Sequence, residues 1–272
     1  MIDEKINRKY LNKIKLFQKY NKHYYNLNQP LVDDSEFDKL KLEIIDLEKQ
    51  YKFLNHKDSP SNSVGFKPSK IFKKIKHKTA MLSLSNAFSE EDLINFEKKI
   101  LNFLNNETGL NIEYSAEPKI DGISASLLFK DGKFITGLSR GDGKEGEDIT
   151  ENLKTIKDIP HEIKSKSFPK EIDIRGEVFI KNSDFKNLRN KFANPRNAAS
   201  GSLRQKDSKE TRKIPLKFIA YTFGYEKGLE VSTQEDYLKK LKEWGFKTNP
   251  LNKTIGTIKD LMNNYNEVEK KR

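Results

Sequence analysis

The first part of the chain carries apolar residues at the spacing of amphipathic helices. In a predicted helix over residues 5–20, these positions are Ile6, Tyr10, Ile14 and Phe17. A second predicted helix begins at Asp34, whose carboxylate suits an N-cap. Its apolar face consists of Phe37, Leu40, Ile44, Leu47 and Tyr51. We therefore expect a small helical unit at residues 1–55, followed by a polar linker or exposed loop at 56–76.

Strand-like alternation dominates the middle of the chain. Ser124–Phe129 and Lys133–Ser139 flank Asp131-Gly132, a dipeptide typical of a tight hairpin turn. Two further strands are predicted at 172–180 and 217–224. Helices are predicted at 89–105, at 234–244 after Thr233 and at 258–270 after Thr257. The predicted class is α+β, with a largely antiparallel sheet in a second domain over residues 77–272.

Composition excludes several kinds of chemistry. The chain has 272 residues and no cysteine, so it has no disulfide, no thiolate nucleophile and no Cys-type Zn²⁺ site. No run of about 18 apolar residues occurs, and the first residues do not form an apolar leader. We expect a cytoplasmic protein without a membrane span.

The net charge of +12 has two interpretations. It favours a polyanionic partner such as nucleic acid, but lysine supplies most of it and would suit a solvated surface equally well. The arginines are more informative. Five of the eight lie between residues 140 and 204, beside turns rich in glycine, asparagine or proline. Their planar forks suit phosphate recognition.

A short motif before the hairpin offers a nucleophile. Glu117-Pro118-Lys119-Ile120-Asp121-Gly122 places a lysine beside carboxylates and a glycine that allows close backbone approach. By itself this motif is weak, because a Lys–Asp pair in a solvated turn is the better explanation when the motif stands alone.

Further motifs follow in order: Arg140-Gly141-Asp142-Gly143 and Gly146-Glu147-Asp148-Ile149-Thr150, then Arg175-Gly176-Glu177, and then the long segment Phe192–Gln205 with Ala193-Asn194-Pro195-Arg196-Asn197. In this order and spacing they resemble the adenylation domain of bacterial NAD-dependent DNA ligases, an antiparallel nucleotidyltransferase fold (ATP-grasp-like). The segment His77–Phe88 resembles an upstream motif of that family. Tyr24-Tyr25, Pro30, Asp34, Glu36, Phe37 and Asp38 resemble its NAD-specific helical cap.

The resemblance implies a covalent mechanism. Lys119 would attack the α-phosphate of NAD, release nicotinamide mononucleotide and form lysyl-AMP. Asp121 and Glu177 match positions implicated in orienting the lysine, the ribose and Mg²⁺, and the ion is expected on the transferred phosphate.

The resemblance also implies binding residues. Glu117, Ser83 and Leu84 match positions near the adenosine, and Arg140 matches one near the ribose and phosphate. Tyr24, Tyr25, Asp34, Phe37 and Asp38 match positions that hold the nicotinamide mononucleotide half, although plain helix packing is an alternative for these aromatic residues. Arg196 and Arg204 match residues that grip nicked duplex DNA.

Five positions depart from the family pattern. Tyr25 stands where many members carry histidine, Phe37 where many carry tyrosine, and Ser124 where alanine is usual. Ala80 replaces the usual proline, and Ile214 stands where an arginine that contacts DNA is often found. The family's later D-G-x-V-x-K motif and zinc-binding cysteines have no match, so we expect a fragment or a truncated homologue.

Three functions stay open at this point. The first is the NAD-binding and adenylating part of a monomeric DNA ligase, unable to seal nicks alone. The second is a non-catalytic nucleic-acid-binding module. The third, an RNA ligase or capping enzyme, is disfavoured by the cap and by the Phe192–Gln205 segment.

Overall fold

The computed structural model describes residues 2–25, 31–62, 72–104 and 112–271. In chain order, its elements are α1 (Ile2–Tyr25), α2 (Asp34–Gln50), β1 (Lys74–Lys76), α3 (Glu90–Phe103), β2 (Tyr114–Ala116), β3 (Ile123–Lys130), β4 (Lys133–Ser139), β5 (Glu145–Glu147), α4 (Thr150–Leu153), β6 (Glu171–Phe179), α5 (Asn182–Phe185), a 3-10 turn (Lys186–Leu188), α6 (Pro195–Leu203), α7 (Ser208–Arg212), β7 (Lys217–Lys227), α8 (Gln234–Glu243), β8 (Lys253–Ile255) and α9 (Ile258–Lys270).

The two N-terminal helices share a small apolar core. Its buried members are Tyr10, Ile14, Phe17, Leu40, Ile44 and Leu54, so both predicted apolar faces are confirmed. The predicted cap is wrong by one residue. Asp33 has extended backbone and accepts a hydrogen bond from Glu36 N at 2.8 Å, whereas Asp34 is the first helical residue. An N-cap must keep non-helical backbone while its oxygen reaches the first turn, and Asp33 meets that condition.

A four-stranded antiparallel sheet forms the centre of the larger part of the chain, with strand order β4-β3-β6-β7. Its strands match the predicted ones to within three residues at each end. The predicted hairpin is confirmed, because Asp131 (φ 49°) and Gly132 (φ 75°) both adopt positive φ between β3 and β4. The α+β prediction is therefore confirmed.

Two small strand pairs lie outside this sheet. β1 pairs with β5, and β2 pairs with β8, both antiparallel. The last three residues of the segment predicted as a linker thus form a strand. The β2–β8 pair connects the segment before Lys119 to the C-terminal region. Both pairs join parts of the chain that are distant in sequence.

The main core lies against the central sheet. Its largest fully buried side chains are Leu127, Phe129, Ile149, Leu153, Ile172, Ile174, Leu203, Phe218 and Tyr237. Thr233 and Thr257 cap α8 and α9 through side-chain hydrogen bonds, as predicted. Within the described residues, every helix is too short or too polar to cross a membrane.

Candidate active site

Lys119 reaches the central sheet because Gly122 follows it. A Cβ at Gly122 would overlap the carbonyl oxygen of Val178 and lie 2.9 Å from Cγ of Glu177. Only glycine therefore allows the turn at residues 119–122 to lie directly against β6. This close approach places the motif lysine beside the motif glutamate.

The site is a cleft above one end of β3, β4 and β6. It is lined by Lys119, Ile123, Ser124, Ser139, Arg140, Gly141, Ile149, Glu177, Arg196, Asn197, Ser200, Leu203 and Arg204. Five of the residues predicted for the site thus meet in one place, although they are separated by up to 85 positions in the sequence. Helix α6 lines one side of the cleft, with Arg196 in its first turn and Arg204 as the residue that caps its C-terminus.

Glu177 is the buried acid of the cleft, with 6% of its surface exposed. The register of β3 and β6 pairs it with Ser124, whose hydroxyl donates to its carboxylate at 2.9 Å. Burial raises the pKa of Glu177, while this hydrogen bond and the charges of Lys119, Arg196 and Arg140 oppose the rise. The carboxylate is therefore surrounded by cations but shielded from water.

Tyr221 also belongs to this environment, although no motif in the sequence points to it. Burial and the charge of Glu177 raise the pKa of the Tyr221 hydroxyl to about 12. The residue lies on β7, next to β6 in the sheet. Its phenol stays protonated at neutral pH and is available as a hydrogen-bond donor.

Two ion pairs hold Arg196 of α6 and Arg204, which caps the C-terminus of that helix. Arg196 Nη1 donates to Asp121 Oδ1 at 3.0 Å, which links the helix to the turn that carries Lys119. Arg204 Nε donates to Glu147 Oε2 at 3.0 Å, and the Glu147 side chain is fully buried. Both arginines, predicted as DNA contacts, therefore lie in the same cleft as the lysine.

Glu117 lies half-buried beside the cleft and is held by three side chains. Ser115 Oγ, Gln234 Nε2 and Asn252 Nδ2 donate to its carboxylate at 3.0, 2.8 and 3.4 Å. Gln234 and Asn252 were missed from the sequence because they come from the C-terminal region, more than 100 residues away. These amides fix the carboxylate of Glu117 in one orientation.

The segment at 77–81 is attached to the site by its backbone. Arg175 donates to the carbonyl oxygens of Thr79 and Ala80, and Met81 N donates to Gly143 O at 2.8 Å. His77 Nε2 lies 3.2 Å from Arg140 O, and burial lowers the pKa of this histidine.

Ser83 and Leu84, predicted to contact the adenosine, are exposed and do not line the cleft. Hydrogen bonds therefore hold residues 77–81 at the site, whereas Ser83 and Leu84 lie outside the set of residues that line the cleft. Arg175 was not predicted as a site residue. Arg175 forms an ion pair with Asp173, two positions earlier on the same face of β6. An aspartate and an arginine at this spacing in a predicted strand are the sequence feature that could have identified it.

The predicted cap residues have different outcomes. The Phe37 ring stacks on Phe17, with centroids 5.2 Å apart, so helix packing accounts for this aromatic residue. Asp38 is half-buried on α2. The side chains of Tyr24, Tyr25 and Asp34 lie outside the described residues.

The acidic groups near Lys119 suit a Mg²⁺ ion that binds substrate phosphates. Across residues 2–25, 31–62, 72–104 and 112–271, no three His, Asp or Glu side chains group as a complete metal site. Mg²⁺ commonly uses only one or two protein carboxylates together with phosphate oxygens and water. Asp121 and Glu177 provide two such carboxylates.

Two family models match this chain. Residues 69–272 match the NAD-dependent DNA ligase adenylation domain, and residues 3–65 match the DNA ligase-like, N-terminal NAD+-binding domain. The helical unit, the antiparallel sheet and the lysine-containing cleft define an α+β adenylation-domain protein. The chain belongs to the NAD-dependent DNA ligase family, which confirms the resemblance in the sequence.

Similar proteins cover nearly the whole chain. The DNA ligase of Pelagibacter ubique (strain HTCC1062) is 66% identical over 272 residues, which is 100% of this chain and 40% of the relative. The DNA ligase of Parvibaculum lavamentivorans is 44% identical over 263 residues, 94% of this chain and 37% of the relative. The DNA ligase of Coprothermobacter proteolyticus is 42% identical over 255 residues, 91% and 38% respectively. This chain thus spans about two fifths of the length of these curated relatives.

Proposed function

We propose that this chain is the NAD-binding and adenylating part of a bacterial DNA ligase. The observation that carries the proposal is the convergence of Lys119, Glu177, Arg140, Arg196 and Arg204 on one cleft. A lysine amine beside a buried carboxylate and several phosphate-binding cations suits covalent transfer of a nucleotidyl group.

In the proposed reaction, the ammonium of Lys119 releases a proton to water, and the neutral Nζ attacks the α-phosphorus of NAD. The nitrogen releases a second proton to water as its bond to phosphorus forms. A nitrogen–phosphorus bond forms, and the bond from phosphorus to the oxygen of the nicotinamide mononucleotide phosphate breaks. The electron pair of that bond leaves with nicotinamide mononucleotide, and AMP remains on the lysine. Arg140, Arg196 and Arg204 line the space where negative charge develops on the phosphate.

The carboxylates have separate tasks in this proposal. Glu177 orients Lys119 and the ribose. Asp121 is held in place by a hydrogen bond from Arg196 Nη1 to its Oδ1 at 3.0 Å. Mg²⁺, when bound by Asp121 and Glu177, would neutralise charge on the phosphate oxygens. Glu117, oriented by Gln234 and Asn252, would accept a hydrogen bond from the adenine amino group.

We further propose that the residues of the helical unit, Tyr24, Tyr25, Asp34, Phe37 and Asp38, serve the nicotinamide mononucleotide half. Nicked duplex DNA is the proposed second partner, with Arg196 and Arg204 as its phosphate contacts. We propose a monomer in the bacterial cytoplasm that does not seal nicks without the remaining parts of a ligase.

Intact mass spectrometry tests the proposal. The full chain is incubated with NAD and Mg²⁺ and then measured beside Lys119→Arg and Lys164→Arg variants. Lys164 is an exposed lysine away from the cleft and is the matched control. We expect an AMP adduct on wild type and Lys164→Arg, and none on Lys119→Arg.

Three results separate the alternatives. An adduct formed with ATP instead of NAD would reject the proposed donor. Absence of any adduct, combined with DNA binding that weakens steeply with salt, would favour a non-catalytic nucleic-acid-binding module. Efficient sealing of nicked duplex by this chain would contradict the proposal that sealing requires the remaining parts of a ligase.

A further inference from the structure

The carbonyl groups at the end of α6 are bound by side chains from two other helices. The last carbonyls of any helix lack intrahelical partners and need other donors. Asn152 Nδ2 lies 2.9 Å from Leu203 O and 2.8 Å from Gln205 O, so its two hydrogens can serve one carbonyl each. Arg204 stands between these two residues. A single asparagine therefore holds the backbone on both sides of one cleft arginine.

A second buried side chain extends this arrangement. Thr211 Oγ1, from α7, donates to Ser202 O at 2.7 Å and lies 3.1 Å from Asn152 Nδ2. Asn152 is 4% exposed, and Thr211 is fully buried. Buried donors and acceptors of this kind are costly to separate, because water cannot replace the lost partner. The end of α6 is thus fixed relative to α4 and α7.

The side chain of Arg204 is held at its other end. Its Nε donates to the buried carboxylate of Glu147, and the residue lines the cleft that contains Lys119. A guanidinium acts through a rigid fork, so its backbone position decides which phosphate oxygens it reaches. Displacement of the backbone by a few tenths of an ångström would misdirect that fork.

We propose that Asn152 is a positioning residue for Arg204. It touches neither substrate nor the reacting lysine, and it acts by fixing the carbonyls of Leu203 and Gln205. The inference rests on the proposed function, because that function gives Arg204 its phosphate-binding task. It adds a residue of α4, two positions after the Gly146–Thr150 motif, to the machinery of the site.

A double-mutant cycle tests this proposal. Asn152→Ala, Arg204→Gln and the double variant are prepared in the full chain. Two quantities are measured: the single-turnover rate of AMP-adduct formation with NAD, and the affinity for nicked duplex DNA by fluorescence anisotropy at fixed salt. We expect Arg204→Gln to lower the rate of adduct formation, the DNA affinity or both. Asn152→Ala should lower the same quantity about fivefold. The double variant should lie within about twofold of Arg204→Gln, because both changes remove one function.

The control variants separate positioning from loss of stability. Thr211→Val removes the hydroxyl and should lower the same quantity, whereas Thr211→Ser keeps the hydroxyl and should behave like wild type. Asn264 is another buried asparagine and lies on α9, which packs against α3 and β2. Asn264→Ala should change the melting temperature without changing either functional quantity.

Each outcome decides the proposal. Multiplicative losses in the double variant would overturn it, since Asn152 would then act independently of Arg204. It would also be overturned if Arg204→Gln changed neither quantity. If wild type forms no adduct, the proposed adenylation is rejected, and the cycle measured on DNA affinity still judges the positioning role.

Discussion

Ser124 donates its hydroxyl to the buried carboxylate of Glu177 at 2.9 Å, across neighbouring strands of the central sheet. A hydrogen bond to the ionised form stabilises a carboxylate that burial would otherwise push towards its protonated form. Ser124 therefore supplies a side-chain donor that favours the ionised form of the buried acid. The pair connects a residue of β3 to the charge state of the site.

Replacing this donor should change the pH dependence of adenylation. In Ser124→Ala the pKa of Glu177 rises further, because burial is then opposed by one interaction fewer. The acid limb of the pH–rate profile for adduct formation should therefore move to higher pH. Ser165→Ala, which removes a hydroxyl from an exposed loop, is the control. An unchanged profile in Ser124→Ala would show that ionised Glu177 is not required.

Glu177 should lower the stability of the folded protein at neutral pH. Its folded pKa is raised above the unfolded value, so its contribution is most favourable below the unfolded pKa and is lost as pH rises through the folded pKa. Glu177→Gln should therefore abolish the adduct and raise the free energy of unfolding by about 1 kcal/mol at pH 8. Thermal melts of both proteins from pH 4 to pH 8 measure the difference, which should shrink towards acid pH. A variant that is less stable at every pH would contradict this role of burial.

The Asp121–Arg196 pair should matter for chemistry more than for stability. Asp121 is 60% exposed, and pairs of this kind contribute about 0.5 kcal/mol or less. Asp121→Asn should lower the rate of adduct formation at least tenfold while leaving the melting temperature within about 2 °C of wild type. Asp142→Asn, in a nearby turn, is a control for loss of one negative charge. Equal losses of rate in both variants would indicate a general charge effect.

The Phe37 ring packs between the two N-terminal helices, so loss of this ring should destabilise the helical unit. The ring stacks on Phe17 and lies against the core shared by α1 and α2. Phe37→Ala should cost about 2–3 kcal/mol of the stability of this unit, measured by urea unfolding followed by helical circular dichroism. Phe53→Ala, which removes a more exposed ring, should cost less. Phe37→Tyr should keep the packing, so a large loss of stability in that variant would contradict this account.

Local patterns were sufficient to predict most elements. Thr233 and Thr257 have side chains that bond to the third residue of their helices, and Asp131-Gly132 tolerates positive φ, so the signals lie within four residues of the feature. The pairs β1–β5 and β2–β8 have no such signal. Each strand is three residues long, too short to show alternation, and its partner lies about 70 or 140 positions away.

In the site, too, the residues with local sequence signals could be predicted, and those with long-range partners could not. Lys119 and Glu177 were predicted because motifs surround them, and the structure brings both to one cleft. Gln234 and Asn152 were not predicted, since their importance comes from hydrogen bonds to Glu117 and to the end of α6. An amide side chain carries no sequence signal for a partner 50 or 100 residues away. Long-range hydrogen bonding is therefore the part of this site that pattern analysis misses.

The close approach of Gly122 to β6 leads to the last prediction. A Cβ at this position would overlap Val178 O and lie 2.9 Å from Cγ of Glu177, so Gly122→Ala must displace either the strand or the lysine turn. We expect a loss of about 2–3 kcal/mol in urea unfolding and of most adduct formation. Gly256 is the matched control, because a Cβ there meets nothing within 4 Å. Gly256→Ala should leave both quantities near wild type. Full adduct formation by Gly122→Ala would show that Lys119 does not depend on this contact with β6.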